Sequence, residues 1–139
     1  EFRRVLFRSN KPNPKDAIDV IAKVGGLDIA GMVGCYLGAA ICQMPILIDG
    51  FISAVSAYLA CMLNQTAKEY MIPTHCSAEP AAKMIMEKLG MEAPLHAGMH
   101  LGEGTGAIMG LSLIDQALNV YYHVATFEGG HVEAYTHQV

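Results

Sequence analysis

The sequence predicts an α/β fold, a Rossmann-like parallel sheet with buried apolar helices. Three observations carry that expectation. Pro45 to Ile48 is a short β-prone run closed by Asp49-Gly50 and followed by an apolar helical stretch, the strand–turn–helix order of half a βαβ unit. The apolar runs are continuous rather than alternating, as strands buried on both faces require. At 139 residues, 53% hydrophobic and 16% charged, the chain can bury a real core and is not composed like a disordered one.

The elements follow in order. Glu1 to Ser9 holds Arg3, Arg4 and Arg8, the only arginines of the chain, and reads as an adaptor scar to be left out of fold reasoning. A basic targeting peptide is the competing reading, and no apolar run or cleavage site follows to support it. Asn13-Pro14 suits a helix start, with Asn as N-cap and Pro in the first position. Ala17, Ile18, Ile21 and Ala22 then recur at helical spacing until Gly25-Gly26 stops them. A second helix, from about Leu27 to Cys42, is apolar on nearly every side and is expected to be deeply buried. After the strand, Phe51 to Leu63 reads as a helix, residues 65–70 as a short polar helix, and Tyr70 to Ile72 as a second strand ended by Pro73. Ser77 is placed to cap a helix in which Ala81, Ala82, Ile85, Met86 and Leu89 face inward and Gly90 closes the C-terminus. Pro94 to His100 fits a strand or a loop. Thr105 to about Phe127 reads as a long helix with a possible break near Asn119, and Gly129 to Val139 as a loose tail.

Composition narrows the function classes. A net charge of −4 gives no basic face for nucleic acid. Ile29 to Ile48 carries no charge, about the ~20 residues of a membrane span, but Gln43 and Pro45 interrupt it and a sheet-packed α/β core explains it without lipid. No membrane is expected. Cys35, Cys42, Cys61 and Cys76 form no C-x-x-C pair, which suits a reduced, cytoplasmic setting. His96 and His100, four apart, with His75-Cys76 are the nearest approach to a metal set. They lack the tight ligand pairs of a zinc site, and no metal or cofactor is expected. His75 beside Cys76 makes a poor nucleophile pair, because neighbours in a strand point to opposite faces.

The residues most suggestive of chemistry are Leu101-Gly102-Glu103-Gly104-Thr105-Gly106-Ala107, one carboxylate among glycines that let a ligand approach the backbone. In open α/β sheets, ligands bind beyond the carboxyl ends of the strands, where Asp49-Gly50 and His75-Cys76-Ser77 fall. Helix N-termini at Phe51 and Ala78 would favour a phosphate there.

Four ordered segments, Gly25 to Ala30, Ile46 to Ile52, His75 to Pro80 and Leu101 to Ala107, closely resemble the C-terminal part of the nicotinate-nucleotide–dimethylbenzimidazole phosphoribosyltransferases. The resemblance runs from about residue 10 to residue 128. Family chains are much longer, so it implies a partial domain, a C-terminal fragment. It implies transfer of ribose 5-phosphate from nicotinate mononucleotide to 5,6-dimethylbenzimidazole with inversion, giving α-ribazole 5′-phosphate and nicotinate. Glu103 matches the family's proton acceptor, and shielding from water would strengthen it as a base. Gly25, Gly26, Gly50, Ser77, Leu101 and Gly102 match substrate-contacting positions. The resemblance further implies a homodimer and a glycine-rich phosphate motif that does not occur before Lys11. The alternative is a non-catalytic fragment or small-ligand-binding module that keeps part of the site.

Overall fold

In the computed structural model, residues 2–127, 129–130 and 133 are described. Two short apolar strands, β1 (Ile46–Ile48) and β2 (Met71–Pro73), pair in parallel with Ile46 opposite Met71 and Ile48 opposite Pro73. Thr74 extends the ladder, its N–H and hydroxyl both donating to the Ile48 carbonyl at 3.2 and 2.6 Å. On the far side of β2 the chain returns at Leu95. Leu95 donates its N–H to the Thr74 carbonyl, and its own carbonyl accepts from Cys76. That bridge decides the open reading of Pro94 to His100 in favour of a brief extended contact within a loop.

Helices surround this small sheet: α1 (Phe2–Asn10), α2 (Ala17–Val24), α3 (Leu27–Ile41), α4 (Phe51–Leu63), α5 (Ala82–Leu89) and α6 (Thr105–His123), with a 3₁₀ helix over Gln65–Tyr70. The central element is α4. Its Ala54, Ala57, Leu59 and Ala60 are buried against Val33 and Tyr36 of α3, Ile48, Met71 and the Met86 and Leu89 face of α5. Small alanines let neighbouring helices approach closely, which is how a short chain packs a dense interior.

Several expectations are corrected. Helix α2 starts at Ala17, and its cap is Asp16, whose carboxylate accepts the Ile18 and Asp19 N–H groups. Asn13 is used elsewhere: its side chain accepts from Lys15 and its N–H donates to Asp19 at 2.7 Å. That bond, followed by Lys23, holds the Asp19 carboxyl below the usual carboxylate range. Helix α5 starts at Ala82 instead of at Ser77, because the Ser77 hydroxyl is taken by Glu79 and the Met99 carbonyl. The Ala78 N–H likewise goes to Met99 and is no helix terminus. Helix α6 runs unbroken past Asn119 to His123. Helix α3 is buried on one face only, through Val33, Tyr36 and Ala39, while Leu27 and Ile41 stand 92% and 83% exposed. No helix among the described residues is long and apolar enough to cross a membrane. The expected loose tail lies outside the described residues except for Gly129, Gly130 and Glu133.

Candidate functional site

Beyond the carboxyl ends of the two strands, loops distant in sequence enclose a cavity of about 430 Å³. Asp49 and Gly50 come from the β1–α4 turn, Ser53 from the first turn of α4, Ser77 and Glu79 from the segment after β2, and His100 to Gly104 from the loop before α6. Gly50 caps α4 without a side-chain bond, and Phe51 and Ile52 of the first turn also line the cavity. Next to it lies a larger apolar hollow of about 720 Å³ lined by Met99, Ile108 and Met109. It shares His100 and Leu101 with the first.

The loop before α6 has an unusual backbone. Gly102, Glu103 and Gly104 have φ of 77°, 58° and 81°, all left-handed. Glycine takes this conformation freely, whereas for Glu103 it costs roughly 1–2 kcal/mol. Local bonds hold it. The Gly102 carbonyl accepts both the hydroxyl (2.8 Å) and the N–H (3.3 Å) of Thr105. The Asp49 carboxylate accepts the N–H of Gly104 at 3.0 Å and of Ala107 at 2.9 Å. Asp49 in turn donates its N–H to Ser53 Oγ at 3.1 Å, and Ser53 Oγ meets the Tyr36 hydroxyl at 2.5 Å. Burial of Tyr36 pushes its phenol up to about 12, against the opposing pull of the Ser53 bond, so it stays neutral across the working range of most enzymes.

Helix α6 lies directly on the strand end. A methyl group at Gly106 would stand 1.8 Å from His75 Nδ1, and one at Gly110 would stand 2.4 Å from Thr74 Cγ2. Both glycines therefore serve close approach. His75 is 4% exposed, and its Nδ1 has no hydrogen-bond partner among the described residues. Cys76 faces away toward Met86 and His96, so the divergence expected of strand neighbours holds.

Of the residues singled out from sequence, Gly50, Ser77, Leu101, Gly102 and Glu103 line one cavity. Gly25 and Gly26 do not; they lie exposed at the α2–α3 junction. At Gly25 a methyl group would meet the Ile21 carbonyl at 2.6 Å, so the glycine ends α2 by permitting that approach. Ser77 is buried. Leu101 is 72% exposed, and Glu103 is exposed too, which corrects the expectation of a carboxylate shielded from water: its loop projects at the cavity rim. Its carboxylate forms no hydrogen bond or ion pair with the described residues. His96 and His100 do not share a helix face, because their segment is not helical. Among the described residues no group of His, Cys, Asp and Glu is placed to hold a metal ion. Sequence reasoning placed Asp49 at this rim but gave its carboxylate no role, weighed His100 only as a metal ligand, and missed Ser53 and Glu79. The one available signal was the position of Asp49 at the end of β1.

A model of the phosphoribosyltransferase family matches residues 2–132. The chain is similar to the nicotinate-nucleotide–dimethylbenzimidazole phosphoribosyltransferase of Clostridium acetobutylicum, 52% identical over 126 residues, 91% of this chain and 36% of the relative. The enzyme of that name from Acetivibrio thermocellus is 49% identical over 130 residues, covering 94% and 37%. The crystal structure of CobT from Thermus thermophilus superposes with a TM-score of 0.79 at 31% identity, over 86% of this chain and 35% of that one. The chain thus spans about a third of the length of the curated relatives it matches.

Proposed function

Because this chain belongs to the phosphoribosyltransferase family, we propose that it carries the proton-accepting half of a site that moves ribose 5-phosphate from nicotinate mononucleotide to 5,6-dimethylbenzimidazole. The products are α-ribazole 5′-phosphate and nicotinate. The observation that carries the reading is Glu103, held left-handed and unpartnered at the rim of the cavity that also takes in Gly50 and Ser77.

One benzimidazole nitrogen attacks the anomeric carbon from the face opposite the nicotinate, with inversion. The bond from that carbon to the pyridinium nitrogen breaks, and its electron pair neutralises the ring, so nicotinate leaves without a general acid. The benzimidazole now carries positive charge and loses its other N–H proton to the Glu103 carboxylate. The apolar hollow beside Leu101, with Met99 and Ile108, suits a flat methylated aromatic. The open N-terminus of α4 suits the phosphate. Among the described residues no Lys or Arg lines the cavity, while Asp49, Glu79 and Glu103 do.

The same proposal includes a homodimer and a cytoplasmic setting, the latter supported by four free cysteines. It treats residues 10–128 as the core of the phosphoribosyltransferase segment, within the residues 2–132 that the family model matches. Glu103 exposure and the missing cation favour a second reading, a non-catalytic fragment or small-ligand-binding module.

The two are separated by fusing these 139 residues to the remaining N-terminal part of the Clostridium acetobutylicum relative and following nicotinate release. Turnover is expected, with E103Q losing ~10²-fold or more in kcat while still binding dimethylbenzimidazole. A folded fusion that binds both substrates without releasing nicotinate would establish the second reading. Full turnover by E103Q would remove Glu103 from its role.

A further inference from the structure

We propose that Asp49 is the positioning residue of this site: its carboxylate sets the left-handed loop, through Gly104 and the first turn of α6, where Glu103 can reach the incoming base. This rests on the functional reading above and extends it to a residue that does no chemistry itself.

Asp49 is anchored on rigid elements. It directly follows β1, whose last residue Ile48 is 1% exposed. Its N–H is held by Ser53 of α4, which pairs with Tyr36 of α3. From that base the two carboxylate oxygens divide their work. Oδ2 takes the N–H of Gly104 and Oδ1 that of Ala107, a turn further into the helix. Two bonds to points a turn apart restrain both the position of α6 and its direction.

The arrangement also resolves a conflict at the cap. Helix N-termini favour a side chain that accepts their free N–H groups. Position 104 has φ 81°, a conformation for glycine, and no side-chain bond caps the helix from there. Asp49, 55 residues earlier, supplies the missing acceptor and adds the negative charge that a helix N-terminus favours. Thr105 holds the other flank by closing onto the Gly102 carbonyl. Glu103 is thus fixed through the backbone on both sides while its carboxylate is left free for substrate.

The test compares D49N with the parent in the fused full-length chain, with and without E103Q. D49N offers one acceptor oxygen and one N–H₂ group where two acceptors are needed. Its kcat is expected to fall at least tenfold with KM for dimethylbenzimidazole within twofold. In the E103Q background the same change is expected to alter residual kcat less than twofold, because its effect passes through Glu103. An equal fold-loss in both backgrounds, or no loss in either, would overturn the proposal. Should D49N fail to fold, D49E carries the same comparison, keeping the charge on a longer arm. Amide hydrogen exchange gives a reading that needs no turnover: Gly104 and Ala107 should lose protection in D49N and keep it in E103Q. Unchanged protection would overturn the positioning role even in an active enzyme. Absence of turnover in the parent would instead count against the functional reading and leave exchange to decide the hold of Asp49 on the loop.

Discussion

Glu103 is the one residue of its loop that pays a conformational penalty for its place. A glycine there would relieve roughly 1–2 kcal/mol of left-handed strain, partly offset by the ~0.5–1 kcal/mol of extra chain entropy that glycine loses on folding. Glu103→Gly is therefore expected to raise the thermal midpoint by roughly 2–4 °C while abolishing turnover, checked by circular dichroism melting beside the nicotinate assay. A lowered midpoint would mean that the glutamate side chain contributes more to the fold than its lack of partners implies. At this scale the place of Glu103 beside a cavity was legible in sequence, from a lone Glu set among glycines. The role of the Asp49 carboxylate was not, because both of its partners lie more than fifty residues onward. Ser77 was legible as a polar residue of interest and misread as a cap: its hydroxyl serves Glu79 and Met99, a contact that spacing along the chain does not encode.

At the level of elements, periodicity was a good guide where a helix has one buried face. Of the expected inward set of α5, Ala82, Met86 and Leu89 are buried, Ile85 is half-buried and Ala81 stands at the cap, while Lys83, Glu87 and Lys88 are exposed. The bounds of α4 came out as read, and Gly90 closes α5 with φ 62°. Pairing register was beyond reach, since Ile46 meets Met71 only after α4 has crossed over. The α3–α4 contact carries a pH signature through Tyr36. Its phenol is held up to about 12, above the ordinary value of about 10. Below about pH 10 both folded and unfolded chains keep that proton, so stability is insensitive to it. Between about 10 and 12 the unfolded chain releases it while the folded chain retains it, so stability falls as pH rises. Tyr36→Phe is expected to be less stable than the parent at neutral pH, having lost the bond to Ser53, yet to decline less steeply above pH ~10. Urea midpoints measured on both proteins across that range check it; parallel declines would refute it.

On the scale of the whole molecule, hydropathy identifies what wants to be buried and is silent about what buries it. Helix α3 reads as interior, yet both it and α6 present apolar side chains to solvent: Leu27 and Ile41 on one, Ile108, Leu111, Val120, Tyr121 and Tyr122 on the other. Scattered exposed apolar residues are ordinary, but a run along one helix marks a surface made for contact. The 139 residues alone are expected to enhance the fluorescence of anilinonaphthalene sulfonate and to sediment heavier than a monomer. Fusion to the remaining two thirds of a relative should diminish the dye signal. A dye-silent monomer would show that the exposed faces are self-sufficient. The seating of α6 has a consequence of a mechanical kind. Gly106 and Gly110 leave a notch only as deep as the bare backbone allows, with His75 and Thr74 as its floor. Because the loop runs directly into that helix, any wedge driven into the notch would lift Glu103 along with it, so the reach of the loop is gauged by two residues that have no side chain at all.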